Sequence, residues 1–402
     1  MIPNILEHFS SLPDPRRDHP SKLHKLIDLI VIALCAVLSK SETWEEIADY
    51  ADEKHTFFKT FLELPNGIPS HDTFNRTFAL IDPVLWQRSF CTWMQTLNAE
   101  SADKIKHIQI DGKVLRGTKS TGTGKRSDQF KENAVEIVSA WASEQQLVLG
   151  HVTVDAESNE IKAVPALLQL LDLEGTVVSL DAMGCQKETT DIIVQQGGDY
   201  LVALKGNQGR LHQAAQELFE DTLGDTTGHY PRPETASSFD VAHGREETRE
   251  CFVIKDLSQL YSADCGVESW RALKCLIVLK SHTLRQGKQV QERRYYLSSA
   301  SWTASEALAR VRGHWSIENR RTAPIGGALS KTQHYVLDVV FREDASRSRR
   351  GYAAQNLALI RRLALNVLNL DIGVKISKRR KRLKCLLNDS YLLNVLGLSL
   401  PL

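Results

Sequence analysis

Two aspartates in this chain stand where a strand would hand its last side chain to solvent. Lys106-His107-Ile108-Gln109-Ile110 alternates in polarity and reads as a strand ending at Asp111. Thr176-Val177-Val178-Ser179-Leu180 reads as another, ending at Asp181. A helix expected from Ser305 to about Asn319 carries Glu318 near its end. Two strand-end aspartates on neighbouring strands, joined by a glutamate from a crossing helix, form a cage of hard oxygens. Such a cage suits Mg²⁺, or Mn²⁺ in its place, and not zinc. Two ions roughly 3.5–4 Å apart in it would activate a nucleophile and stabilise a leaving oxygen in phosphodiester displacement. Mutual repulsion of the carboxylates is tolerable there because the cations neutralise it. Each aspartate taken singly also reads as a turn former or a helix cap.

The elements that must position these groups change character along the chain. Residues 1 to about 103 read as helical: Leu23, Leu26, Ile27, Ile30, Val31 and Leu34 recur at helical spacing. A second helix is expected near Thr43 to Tyr50. After the turn Pro65-Asn66-Gly67-Ile68-Pro69, Ser70 is a good N-cap for a helix carrying Phe74, Phe78 and Ile81. That helix exposes His71, Asn75 and Arg76; it reads either as a recognition helix or as plain helical packing. From about 104 the order becomes β-β-β-α-β-α-β, with a polar loop from Gly117 to Lys131 after the first strand. Residues 206 to about 300 read as a less regular, β-rich insertion before the Ser305 helix. An apolar helix is expected from Tyr352 to Leu368. The order of elements matches a ribonuclease H-like sheet.

Composition narrows the partners. With 402 residues, 42% apolar and 25% charged, the chain is in the range of globular proteins of two or three domains. The longest apolar run, Leu29 to Leu38, is too short to span a bilayer. No secretory leader is visible, so the expectation is a cytoplasmic protein with no membrane partner. The seven cysteines are odd in number and contain no CxxC pair, which argues against a disulfide scaffold or a zinc ribbon. Between Arg310 and Lys384 there are 18 Lys/Arg against 5 Asp/Glu, a local +13 in a chain whose net charge is +1. A basic quarter on a neutral protein suggests a polyanion such as nucleic acid, or else a solvated helical face. No GxGxxG or P-loop follows any strand, which argues against a nucleotide-binding α/β enzyme.

Several stretches resemble a known family. They are Ile110-Asp111-Gly112-Lys113, Leu180-Asp181-Ala182-Met183-Gly184-Cys185-Gln186-Lys187, Lys205-Gly206-Asn207-Gln208, His243-Gly244-Arg245-Glu246-Glu247 and His314-Trp315-Ser316-Ile317-Glu318-Asn319. Trp44-Glu45-Glu46-Ile47 and Asn66-Gly67-Ile68-Pro69-Ser70-His71-Asp72-Thr73 match too. In this order over nearly the whole chain, they resemble the H-repeat-associated, ISAs-type insertion-sequence transposases of the DDE superfamily. The resemblance implies an α/β fold: a helical domain over 1–103, a ribonuclease H-like catalytic domain over 104–371 with a β-rich insertion at about 206–300, and a basic tail over 372–402. It implies catalysis and metal binding by Asp111, Asp181 and Glu318, with Mg²⁺ as cofactor. It implies double-stranded DNA as partner, through terminal inverted repeats and target DNA, a homo-oligomer in the synaptic complex, and a bacterial cytoplasmic site of action at the nucleoid. The expected DNA contacts are Lys113 and Arg116 beside Asp111, Lys205 and Asn207 at the end of the last strand, Arg245, His314, and Arg379 and Arg380 in the basic run. His314 also reads as a packed histidine, Arg245 as part of a polar hairpin, and the Lys375–Lys384 run as a solvated tail.

The chain departs from the family pattern in one place. After Glu318 about a dozen residues, Arg320 to Thr332, precede His334-Tyr335-Val336-Leu337-Asp338, which in relatives follows sooner. Pro324, Gly326 and Gly327 would end the helix shortly after Glu318. The expectation is that Glu318 stays in place because the helix leading to it is unaltered. The alternative is a catalytically inactive, DNA-binding remnant, and a nuclease that cuts without strand transfer is a second rival.

Overall fold

The structure is a computed structural model and describes residues 5–20, 22–100, 106–119, 134–154, 160–242, 245–285, 288–314 and 333–398. Six helices come first: α1 (Ile5–Phe9), α2 (Leu26–Leu38), α3 (Trp44–Glu53), α4 (His55–Phe58), α5 (His71–Leu80) and α6 (Pro83–Glu100). α2 is apolar on nearly every side, and all its residues but Ile27 are buried. Thr43 caps α3 by accepting from the Glu46 amide. Ser70 caps α5 by accepting from the Thr73 amide, as its position predicts.

The strands then build one nine-stranded sheet. They are β1 (His107–Leu115), β2 (Val135–Ala142), β3 (Leu147–Val154), β4 (Val177–Leu180), β5 (Asp199–Leu204), β6 (Glu234–Ala242), β7 (Arg245–Ile254), β8 (Cys275–Arg285) and β9 (Lys288–Ser298). Their spatial order is β3-β2-β1-β4-β5-β9-β8-β7-β6. β1, β4 and β5 are parallel, and β2 and β3 run antiparallel on the outer side of β1. That half has the strand order and directions of a ribonuclease H-like core. The β-rich region after β5 is more regular than its sequence suggests. It is an antiparallel meander whose last strand, β9, pairs with β5 and so extends the same sheet.

The remaining helices are α7 (Glu160–Leu168), α8 (Lys187–Gln195), α9 (Gly209–Gly224), α10 (Ser258–Ser262), α11 (Ala304–His314), α12 (Gln333–Tyr335), α13 (Ala353–Leu370), α14 (Lys378–Leu387) and α15 (Asp389–Val395). The sequence reading passed over α9. Its Leu211, Ala215, Leu218 and Phe219 are buried, and Phe219 packs edge-on against Phe252 and Tyr295 of the meander. α13 is buried from Ala353 to Leu368 and lies between α2, α5 and α6 on one side and β3 on the other. One apolar cluster therefore runs from the first helices through the sheet to α15. The basic run is not a free tail. It is α14, capped by Ser377, with Lys381 and Arg382 buried: Lys381 donates to the Leu368 carbonyl, and Arg382 donates to the carbonyls of Val37 and Val340. Among the described residues no helix is long and apolar enough to cross a membrane. All seven cysteines are free thiols.

Candidate active site

The sheet brings the two aspartates together through register. In the parallel pairing of β1 with β4, Ile110 is opposite Leu180, so Asp111 and Asp181 are the next residues on adjacent strands. β1 does not end at Asp111, contrary to its sequence pattern. It continues to Leu115 because β2 pairs with it over that length, Asp111 opposite Ser139 and Leu115 opposite Val135. β4 does end, at Leu180. Asp181 turns the chain, its Oδ1 accepting from the amides of Met183 (2.9 Å) and Gly184 (3.2 Å). Gly184 has no room for a side chain, since a Cβ there would lie 2.8 Å from Leu180 Cβ.

A further carboxylate crowds this point. A Cβ on Gly112 would fall 1.7 Å from Glu160 Oε1, so the first side chain of α7 lies directly over the residue after Asp111. Burial pushes the Glu160 carboxyl up to about 7; its hydrogen bond with Glu136 and the charges of Glu136 and Asp181 push the same way. The sequence reading missed Glu160 and Glu136. In sequence Glu160 is an ordinary acidic residue at a helix start, and only the sheet places it beside Asp111. On the other side, His334 Nδ1 lies 3.6 Å from Asp111 Oδ2. Burial, helped by the charges of Lys113 and Arg362, holds this imidazole down at about 3, so it is neutral at pH 7.

The expected DNA contacts have different surroundings. Lys113 is buried, and its Nζ donates to Asp338 (2.6 Å), Glu343 (3.0 Å) and Asp344 (3.3 Å). Burial would lower this ammonium, but Glu343 and Asp338 outweigh it and hold it above the ordinary lysine value. Glu343 also receives Arg362 at 2.7 Å, with both side chains shut off from solvent. Asp338, Glu343 and Asp344, which follow the extra segment, are thereby tied to the Asp111 strand. Arg116 is open to solvent, 3.8 Å from Asp344. Lys205 is exposed at the end of β5. The Asn207 amide donates to the Ala182 carbonyl at 2.6 Å, tying that strand end to the Asp181 turn.

His314, at the end of α11, is buried, and its Nδ1 lies 3.0 Å from Ser179 Oγ. Ser179 Oγ in turn lies 2.9 Å from His107 Nε2. Arg245 is on the meander, paired with Glu247 at 2.5 Å. Arg379 and Arg380 are exposed on α14. Glu318, the rest of its motif, the extra segment 320–332, and His243 and Gly244 lie outside the described residues.

Among the described residues no three His, Cys, Asp or Glu side chains close around one point as a metal site. Asp111 and Asp181 supply only hard oxygen donors, and the crowding felt by Glu160 is the kind a divalent cation relieves. Their donor atoms are of the kind a Mg²⁺ site uses. The expected third, Glu318, is outside the described residues.

The family model described as DDE_Tnp_1-associated matches residues 6–94, and that described as Transposase DDE domain matches residues 103–321. The YncI protein of Escherichia coli O157:H7 is 37% identical over 400 residues, covering 98% of this chain and 95% of that one. The H repeat-associated protein YhhI of Escherichia coli (strain K12) is 36% identical, covering 98% of each. A solved structure, the piggyBac transposase synaptic complex with hairpin DNA, aligns with a TM-score of 0.36 and 11% identity over 97% of this chain and 76% of that one.

Proposed function

This chain is a member of the DDE transposase family, in its H repeat-associated branch, and we propose that it cleaves and joins DNA at the ends of an insertion sequence. What supports the reading is the placement of Asp111 and Asp181 directly after the paired residues Ile110 and Leu180 on adjacent parallel strands. In the proposed mechanism Asp111, Asp181 and Glu318 hold Mg²⁺, or Mn²⁺ in its place. When bound, the ions supply Lewis-acid activation of the attacking oxygen and neutralise charge on the leaving one. A water oxygen attacks the phosphorus at the element end, and the P–O3′ bond breaks to leave a 3′-hydroxyl. That hydroxyl then attacks a target phosphodiester, joining the element end to a target 5′-phosphate and releasing a target 3′-oxygen.

The chain's own residues fix the geometry of these steps. The Met183 and Gly184 amides orient the Asp181 carboxylate, and Asn207 braces its turn. Lys113 anchors the strand that bears Asp111, and Ser179 and His107 hold the end of the helix leading to Glu318. We further assign DNA recognition to the helices of residues 1–103, catalysis to 104–371, and phosphate contact to the exposed face of 372–402. The DNA substrate is the element's terminal inverted repeats and a target duplex, held by a homo-oligomer so that two sites act on two ends.

The test is cleavage of a plasmid carrying the element's own ends with Mg²⁺ or Mn²⁺, scored also for joined products. Cutting and joining that vanish in Asp111→Asn and Glu318→Gln establish the enzyme and its carboxylates. Binding without cutting indicates an inactive remnant. Regained cleavage on deleting residues 320–332 then locates the fault there. Cutting without joining indicates a nuclease.

A further inference from the structure

The loop after Glu343, residues 346–352, is clamped at both ends between the Asp111 strand and the N-terminal helices. At one end it passes so close to Gly117 that a Cβ there would meet the Ser346 and Asp344 carbonyl oxygens at 2.5 and 2.6 Å. Arg349 donates to the Gly117 carbonyl at 3.1 Å. In the middle, the Trp44 indole donates to Ser348 Oγ at 3.1 Å, and its ring packs on Phe78 of α5. At the other end Gly351 has φ +46°, and a Cβ there would meet the Ala79 carbonyl of α5 at 2.6 Å. The next residue, Tyr352, donates its amide to that same carbonyl. Such close approaches on both sides fix the loop's path.

This fixed path turns cations outward. Arg349 is used internally, but Arg347 and Arg350 are exposed and, among the described residues, have no carboxylate within ion-pair distance. Across the Gly117 contact stand Arg116, 83% exposed, and Lys119, also exposed. Of these four exposed cations only Arg116 has a carboxylate within ion-pair distance among the described residues, Asp344 at 3.8 Å, and a polyanion laid across them supplies the missing counter-charge. Arginine on a rigid backbone suits the forked oxygens of a phosphate.

We propose that Arg347 and Arg350, with Arg116 and Lys119, form a ledge that grips the phosphate backbone of duplex DNA between α5 and the Asp111 strand. This rests on the transposase reading and deepens it. The ledge sets the path of DNA from the helical region to the carboxylates and carries no base sequence itself.

The test is the salt dependence of binding by the full chain to two labelled duplexes, one with the element's own end and one unrelated of equal length. Loss of two phosphate contacts in Arg347→Gln/Arg350→Gln lowers the slope of log K against log salt by about 2. It weakens both duplexes by the same factor, with the thermal midpoint unchanged. Arg347→Lys/Arg350→Lys restores the slope, because the charge returns. An unchanged slope in the glutamine variant, with the parent chain binding normally, overturns the ledge and leaves the transposase reading standing. A loss confined to the element's end also overturns it, since that is base reading. A parent chain that binds neither duplex removes the transposase reading and the ledge together.

Discussion

Arg362 and Glu343 meet at 2.7 Å with neither side chain reaching solvent, and Lys113 reaches the same carboxylate from the Asp111 strand. The site's scaffold therefore rests on a buried ionic cluster that joins β1, the segment after residue 332, and α13. Breaking such a cluster from one side strands a buried charge. Arg362→Ala should lower unfolding free energy by about 3–5 kcal/mol, measured by denaturant titration. A loss within the range of a surface substitution would show the cluster to be solvated.

The same cluster fixes an acid limit. Burial pushes the Glu343 carboxyl up, but the Arg362 and Lys113 charges beside it prevail and hold it at about 2. A carboxyl depressed on folding stabilises the fold above its unfolded value near 4.5. That contribution is lost as pH falls from there toward about 2. Thermal melts of the parent chain should steepen in that window, and those of Glu343→Gln should lose that part of the slope.

Histidines set a second, milder limit. Burial holds His314 at about 4 and His107 at about 3, each bonded through Ser179. A histidine depressed on folding stabilises the fold above the unfolded value of 6.5, and the benefit is lost as pH falls through the folded values. Stability should begin to fall below about pH 6.5. Ser179→Ala leaves two buried ring nitrogens without their partner and should cost about 1–3 kcal/mol. The check is a denaturant midpoint at pH 7.5.

At Gly117 and Gly351 the chain runs too close to a backbone carbonyl for any side chain. Gly117→Ala and Gly351→Ala should each cost about 1–3 kcal/mol through overpacking and strain. An alanine at Gly67, where open space surrounds the Cβ position and φ is +74°, isolates the conformational part of that cost.

Metal removal separates binding from chemistry. With a chelator present, cleavage of the element's ends should fall to background while binding of the same duplex persists, and Mg²⁺ should restore cutting. Asp181→Asn should behave like the chelated parent chain, with its melting temperature retained. DNA binding lost together with cleavage would show that the carboxylates shape the DNA surface rather than the reaction.

The sequence by itself determined the local elements and the two strand aspartates. Alternation marked β1, Thr176–Leu180 read as a further strand, and Ser70 stood where its hydroxyl caps α5. These signals are carried by neighbours a few residues apart, so they survive in one dimension. The strand order of the core followed from the run of elements, and the matched motifs gave the family. What surrounds each charged side chain was decided only by tertiary structure. Lys113 looked like a phosphate contact beside Asp111, yet its three carboxylate partners come from more than two hundred residues downstream. Glu160 carried no functional signal in the sequence, and only the fold set it over Gly112. The basic run read as phosphate contacts or as a solvated tail, yet Arg382 is buried against carbonyls of α2 and of the segment after α12. The reason is common to all three. A charge's partners are chosen by which distant segments the fold packs against it, and no local spacing records that choice.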